Sequence, residues 1–129
     1  LANGLYYTAQ LQRVIQDPLL VTEGPVVVAG DLNAPISTGI RQHAANVGGL
    51  RARGLVSAFT TARGNVNPLT EPTLYHQRKL TQPFHIDHVF VPAEWTSDLS
   101  VSIGSYDDWV ATRRSDHVPV VVDLKLPEA

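Results

Sequence analysis

Cysteine is absent from this 129-residue chain, and so is methionine. Without cysteine there are no disulfides, no thiolate metal sites and no cysteine nucleophile. A cytoplasmic home fits that absence. Charge of either sign is scarce. Lys and Arg number 10 and Asp and Glu 12, together 17% of the residues, for a formal net charge of −2. That balance excludes the strongly basic character of a general nucleic-acid binder, while leaving room for a local basic patch. No apolar run approaches the roughly 18 residues of a membrane span, so none is expected. The missing methionine, with an opening at Leu1 directly into helix-like sequence, sets a further expectation. These residues belong to a longer protein, and any targeting segment lies in the part not seen.

What is present suits one domain with a real core. The length fits a single unit, and 43% of residues are hydrophobic. Residues 5–16 place Tyr7, Leu11, Val14 and Ile15 at helical spacing, and Asp17-Pro18 ends that helix. Residues 26–30 read as a strand buried on both faces, which Pro35 stops. Residues 39–53 read as a second helix with Ile40, Ala44, Val47 and Leu50 inward and His43 on the surface. Short strands are expected at 55–59, near 73–77, at 85–92, at 99–105 and at 118–126, the last one buried. Residues 60–72 carry turn chemistry and read as a surface loop. Two early helices and many late strands give an α/β class with a mixed sheet.

Polar chemistry concentrates at strand ends. Asp31 and Asn33 follow the first strand in "VVVAGDLN". Asp87 lies in "HIDHVFVP", and "RRSDHVP" places Asp116 and His117 just before the last strand. Three acids, an Asn and a His on separate strands can converge. A metal-assisted phosphoryl site needs that set. A hard divalent cation takes carboxylate oxygens and keeps waters. A carboxylate orients the attacking water, and Asn or His donors hold the phosphoryl oxygens. An acid behind the His keeps it protonated, a role open to Asp87. Each motif alone also has a plain reading. Gly-Asp-X-Asn is a common Asx turn, and Ser-Asp-His can be a turn entering a strand. Strand alternation puts His85 and His88 on opposite faces, so both cannot line one site.

"GDLN", "HIDHVFVP" and "SDHVPVVVDL" resemble three signature blocks of the endonuclease/exonuclease/phosphatase superfamily, in its order and near its spacing. "PTLYH", "PAEW" and "GSYDDW" resemble its uncharacterised bacterial members. The resemblance spans roughly residues 5–126. It implies a four-layer α/β sandwich and cleavage of phosphodiesters or phosphomonoesters with Mg²⁺ or Mn²⁺. It implies that Asp31 activates water, Asn33 donates to the phosphate and Asp116 assists the metal. His117 would contact the phosphate with Asp87 hydrogen-bonded to it. The family's N-terminal blocks, with an Asn and the principal metal-binding Glu, have no match here. The resemblance therefore implies the C-terminal half of the domain, a mostly antiparallel sheet with helices on one face. It implies that these residues alone are inactive or nearly so.

Substrate class is less marked. Tyr75, His76, Arg78 and Lys79 are candidates to rim a phosphate site, and Arg113 and Arg114 to steer a polyanion. The plain reading of both groups is solvated surface. Trp95 and Trp109 read as packing residues. Tyr106, Asp107 and Asp108 read as a turn, with a second metal site as the sharper alternative. Expected partners are a phosphate-ester substrate, with nucleic acid among the candidates. The absent N-terminal half, or a second copy, is expected on the bare sheet face. A non-catalytic binding or assembly module is the alternative from another class.

Overall fold

The computed structural model describes residues 2–21, 24–34 and 41–128. Pro35 and Ile40 lie outside them. In chain order the elements are α1 (Ala2–Gln16), β1 (Val28–Asp31), α2 (Arg41–Ala52), β2 (Leu55–Ser57) and α3 (Ala58–Arg63). There follow β3 (Leu74–Tyr75), β4 (Pro83–Phe84), β5 (Asp87–Pro92), β6 (Ser100–Ile103), α4 (Tyr106–Trp109) and β7 (Val120–Asp123). The fold is α/β, and every strand pairing among the described residues is antiparallel. The described strands form three small sheets instead of one: β1-β5-β2, β3-β4 and β6-β7. No described helix is long and apolar enough to cross a membrane.

β5 is the central strand, and its alternation divides the core. Phe90 faces Ile15 of α1, Leu50 of α2 and Leu55, with Leu11, Val28, Leu32 and Val47 around them. Its neighbour Val89 packs in a second cluster with Ala58 and Phe59 of α3, Val101 of β6, and Val120 and Val122 of β7. Arg63 closes α3 onto this second layer. Its guanidinium pairs with Glu71 at 2.7 Å and donates to the Val101 carbonyl at 2.6 Å.

Several expectations are corrected. Residues 58–63 are helical, so the strand expected at 55–59 ends at Ser57 and the loop expected from residue 60 begins as helix. Ser57 caps α3 by accepting the Thr60 N–H at 3.2 Å, and Gly64 takes a left-handed φ of 69° behind it. The inward face of α1 is turned. Thr8 and Ile15 are buried, whereas Tyr7 and Val14 are exposed. On α2, His43, Asn46 and Leu50 are buried and Ala44 is exposed. The reason is a polar helix–helix contact. Thr8 Oγ1 bonds His43 Nδ1 at 2.9 Å, and Asn46 Nδ2 donates to the Thr8 carbonyl at 2.9 Å. β1 and β7 are not buried strands. Ala29 to Asp31 are exposed, and β7 alternates between half-buried and exposed. Both are outer strands, covered on one side by the clusters described above.

Candidate active site

β1 and β5 bring the two acids together. In their antiparallel register Asp31 stands directly opposite Asp87. Directly paired residues share a face, and alternation places that face away from Phe90, α1 and α2. Gly30 precedes Asp31 with a φ of 143°, a conformation that favours glycine. Beyond Asp31 the chain turns sharply. The Asn33 N–H donates to Asp31 Oδ1 at 2.9 Å, and Asn33 is left-handed with φ 49°. The Asx turn that a plain reading predicts is therefore present, and it fixes one oxygen of the Asp31 carboxylate.

His117 arrives from the segment before β7. Leu74 bridges to His117, the Tyr75 N–H donates to the Asp116 carbonyl at 2.8 Å, and the His117 N–H donates to Ser115 Oγ at 3.0 Å. Its ring meets both acids. Nδ1–H donates to Asp87 Oδ2 at 2.9 Å, and Nε2 lies 3.8 Å from Asp31 Oδ2. A carboxylate only accepts, so Nδ1 carries a proton. Burial on its own lowers the His117 pKa. The hydrogen bond to Asp87 and the negative charges of Asp87, Asp31 and Asp116 more than reverse that, and hold it above the ordinary 6.5. One ligand atom from each of Asp31, Asp87 and His117 lies within 4.8 Å of the others. The donor chemistry fits a hard divalent cation on the carboxylate side, because a protonated imidazole donates and does not ligate.

The other candidates are placed differently. Asp116 is half-buried and acts on His117 through its charge, outside the three-residue cluster. Tyr75 is a core residue and not a rim group. Its ring packs with Val110 and Val118 and meets Tyr106 edge-on at 4.9 Å. His76, Arg78 and Lys79 are exposed, with the His76 ring edge-on to Phe84. The Arg78 carbonyl accepts from Tyr106 Oη at 2.9 Å. The Arg114 guanidinium lies 5.7 Å above the Trp109 ring. Tyr106, Asp107 and Asp108 form the single-turn helix α4, capped by Ser105 Oγ accepting the Asp108 N–H at 3.1 Å. His85 and His88 are both core residues with rings 5.5 Å apart. Residues 85–86 sit outside β4 and β5, so strict alternation fails there. A concavity of about 1030 Å³ lies elsewhere. Trp95 and Pro92 line it, at the other end of β5 from Asp87.

One residue near the site escaped sequence reasoning. Thr73 is fully buried, and its Oγ1 accepts the N–H groups of Ile86 and Asp87 at 3.0 and 3.1 Å. Nothing in its local sequence separates it from an ordinary strand-entry threonine.

No curated protein matches the chain. The model of the Endonuclease/Exonuclease/phosphatase family does match, over residues 5–117, a span that contains Asp31, Asn33, Asp87, Asp116 and His117. Phosphoesterase- and nuclease-like hydrolases make up this family, divalent-metal dependence is usual in it, and the chain belongs to it.

Proposed function

We propose that this chain carries the acid–histidine part of a divalent-cation-dependent phosphoesterase that hydrolyses phosphodiesters. The supporting observation is His117 held between two carboxylates, 2.9 Å from Asp87 and 3.8 Å from Asp31. Asp87 fixes the ring and keeps it protonated. Nε2–H is then free to donate to a phosphoryl oxygen as negative charge develops there. Asp31 is the more exposed acid, with 38% of its side chain accessible against 20% for Asp87. That exposure suits it to orient and deprotonate an attacking water. Asn33, two residues on in the Asx turn, supplies a carboxamide to the phosphate. Asp31 and Asp116 would hold Mg²⁺ or Mn²⁺. The cation supplies charge neutralisation at the phosphoryl and leaving oxygens.

The test is hydrolysis of bis(p-nitrophenyl) phosphate by the protein at its full natural length, with Mg²⁺ or Mn²⁺ and with chelator. Turnover should need the cation. Asp31→Asn and His117→Ala should each lower kcat on the order of 10²-fold or more, with the fold retained. Unchanged activity after chelation, or near-normal kcat in both variants, rejects the assignment. Phosphate binding with no turnover under any cation would favour a non-catalytic binding module.

A further inference from the structure

We infer that Thr73 is a positioning residue that sets the Asp87–His117 contact, an inference whose kinetic part rests on the function proposed above. Thr73 is fully buried and joins the segments that carry the two site residues. On one side its N–H donates to the Phe84 carbonyl at 2.9 Å, and its Oγ1 accepts from Ile86 and Asp87. On the other, its carbonyl accepts the Val118 N–H at 2.9 Å, one residue past His117. The next two residues continue that second contact, through the Leu74–His117 bridge and the Tyr75 N–H to the Asp116 carbonyl.

The hydroxyl is needed because the chain changes partners here. β4 pairs with β3, whereas β5 pairs with β1 and β2. Residues 85 and 86 lie between the two pairings, where the ladder is interrupted. Two adjacent N–H groups, those of Ile86 and Asp87, would otherwise lack an acceptor at a buried bend. One oxygen with two lone pairs serves both. It thereby fixes the first residue of β5, the one whose carboxylate reaches His117. The β-branched side chain restricts χ1, which keeps that oxygen in place. A valine has the same shape and no acceptor. A serine has the acceptor without the methyl.

Thr73→Val, Thr73→Ala and Thr73→Ser separate positioning from plain packing. Two readouts are used. The first is the set of imidazole ¹⁵N shifts of His117 in the cation-free chain, assigned by comparison with His117→Ala. The second is kcat and KM on bis(p-nitrophenyl) phosphate for the protein at its full natural length. Thr73→Val and Thr73→Ala should remain folded and lose the ¹⁵N signature of a carboxylate-bound Nδ1–H. Their kcat should fall on the order of tenfold or more, with KM nearly constant, as expected when reacting groups are misplaced. Thr73→Ser should restore both readouts. Unchanged His117 shifts in folded Thr73→Val would overturn the inference. So would a Thr73→Ser that behaves like Thr73→Val, or loss of the fold in both Val and Ala variants. A wild type without hydrolysis, but with Thr73→Val and Thr73→Ser still dividing in their His117 shifts, would reject the proposed function and leave the positioning role supported.

Discussion

Acid should weaken this fold through one buried imidazole. His88 is 4% exposed, and its Nε2–H donates to the Ala34 carbonyl. Among the described residues its Nδ1 is buried without a partner. Protonation would therefore place a new N–H where no acceptor waits. Burial is the main cause of a pKa lowered from 6.5 to about 4. Its bond to Ala34 and the charge of Asp87 oppose that shift, and His85 adds to it. The folded pKa lies below the unfolded one, so the neutral ring stabilises the fold above about pH 6.5. That stability is lost as pH falls toward 4. A gap of about two and a half units corresponds to about 3 kcal/mol when complete, and about 2 kcal/mol of it falls between about pH 7 and pH 5. His117 works in the opposite direction. Its raised pKa contributes stability below the ordinary histidine range, lost as pH rises through the folded value. Wild type alone therefore reports a partial cancellation. His88→Gln keeps an amide donor near the Ala34 carbonyl and does not titrate. Urea unfolding of both proteins without divalent cations, at about pH 7 and about pH 5, isolates the term. Wild type should lose about 2 kcal/mol more than His88→Gln on acidification. Parallel losses in the two proteins would refute the reasoning.

Two other predictions concern single contacts. A Cβ at Gly104 would lie 2.6 Å from Pro119 Cδ and 2.9 Å from Trp109 Cδ1. Gly104→Ala should then cost about 1–3 kcal/mol, read as a lower thermal midpoint; a neutral result would show that β6 and the Pro119 segment separate easily. Asp87→Asn removes the hydrogen-bonded charge behind His117. The His117 pKa, followed by NMR titration without cations, should fall in the variant; an unchanged value would show that Asp87 does not hold the proton there.

The convergence of Asp31, Asp87 and His117 was expected from their places in or beside strands and from the resemblance, whereas Asp116 lies outside their cluster. Asp31 and Asp87 sit at strand ends, and an antiparallel register sets them opposite each other. Other features depend on partners distant in sequence. His43 reads as surface on a helical wheel, yet Thr8, 35 residues away, accompanies it into the interior. Tyr75 reads as a rim group until Val110 and Val118 close over it. The helix at 58–63 was hidden differently. Its cap Ser57 and stop Gly64 are visible in the sequence, but "TTARG" is polar enough to pass for a loop. Thr73 shows the deepest limit. Its role comes from accepting two backbone N–H groups at a bend between sheets, and no residue pattern encodes a bend of that kind.

The way β5 is shared has a consequence in time. β3 and β4 are joined by residues 76–82, a connection local in sequence, so they can pair early. The link from His88 to Ala34 instead spans 54 residues, and that from His117 to Asp87 spans 30. Closing loops of that size costs entropy before any contact returns it. On the ribosome, β1 must wait for β5 to emerge, and Asp31 has no opposing acid until then. His117 follows later still. The acid cluster is thus expected to assemble among the last features of the fold, so a stalled or truncated nascent chain would hold local hairpins and helices without a working site.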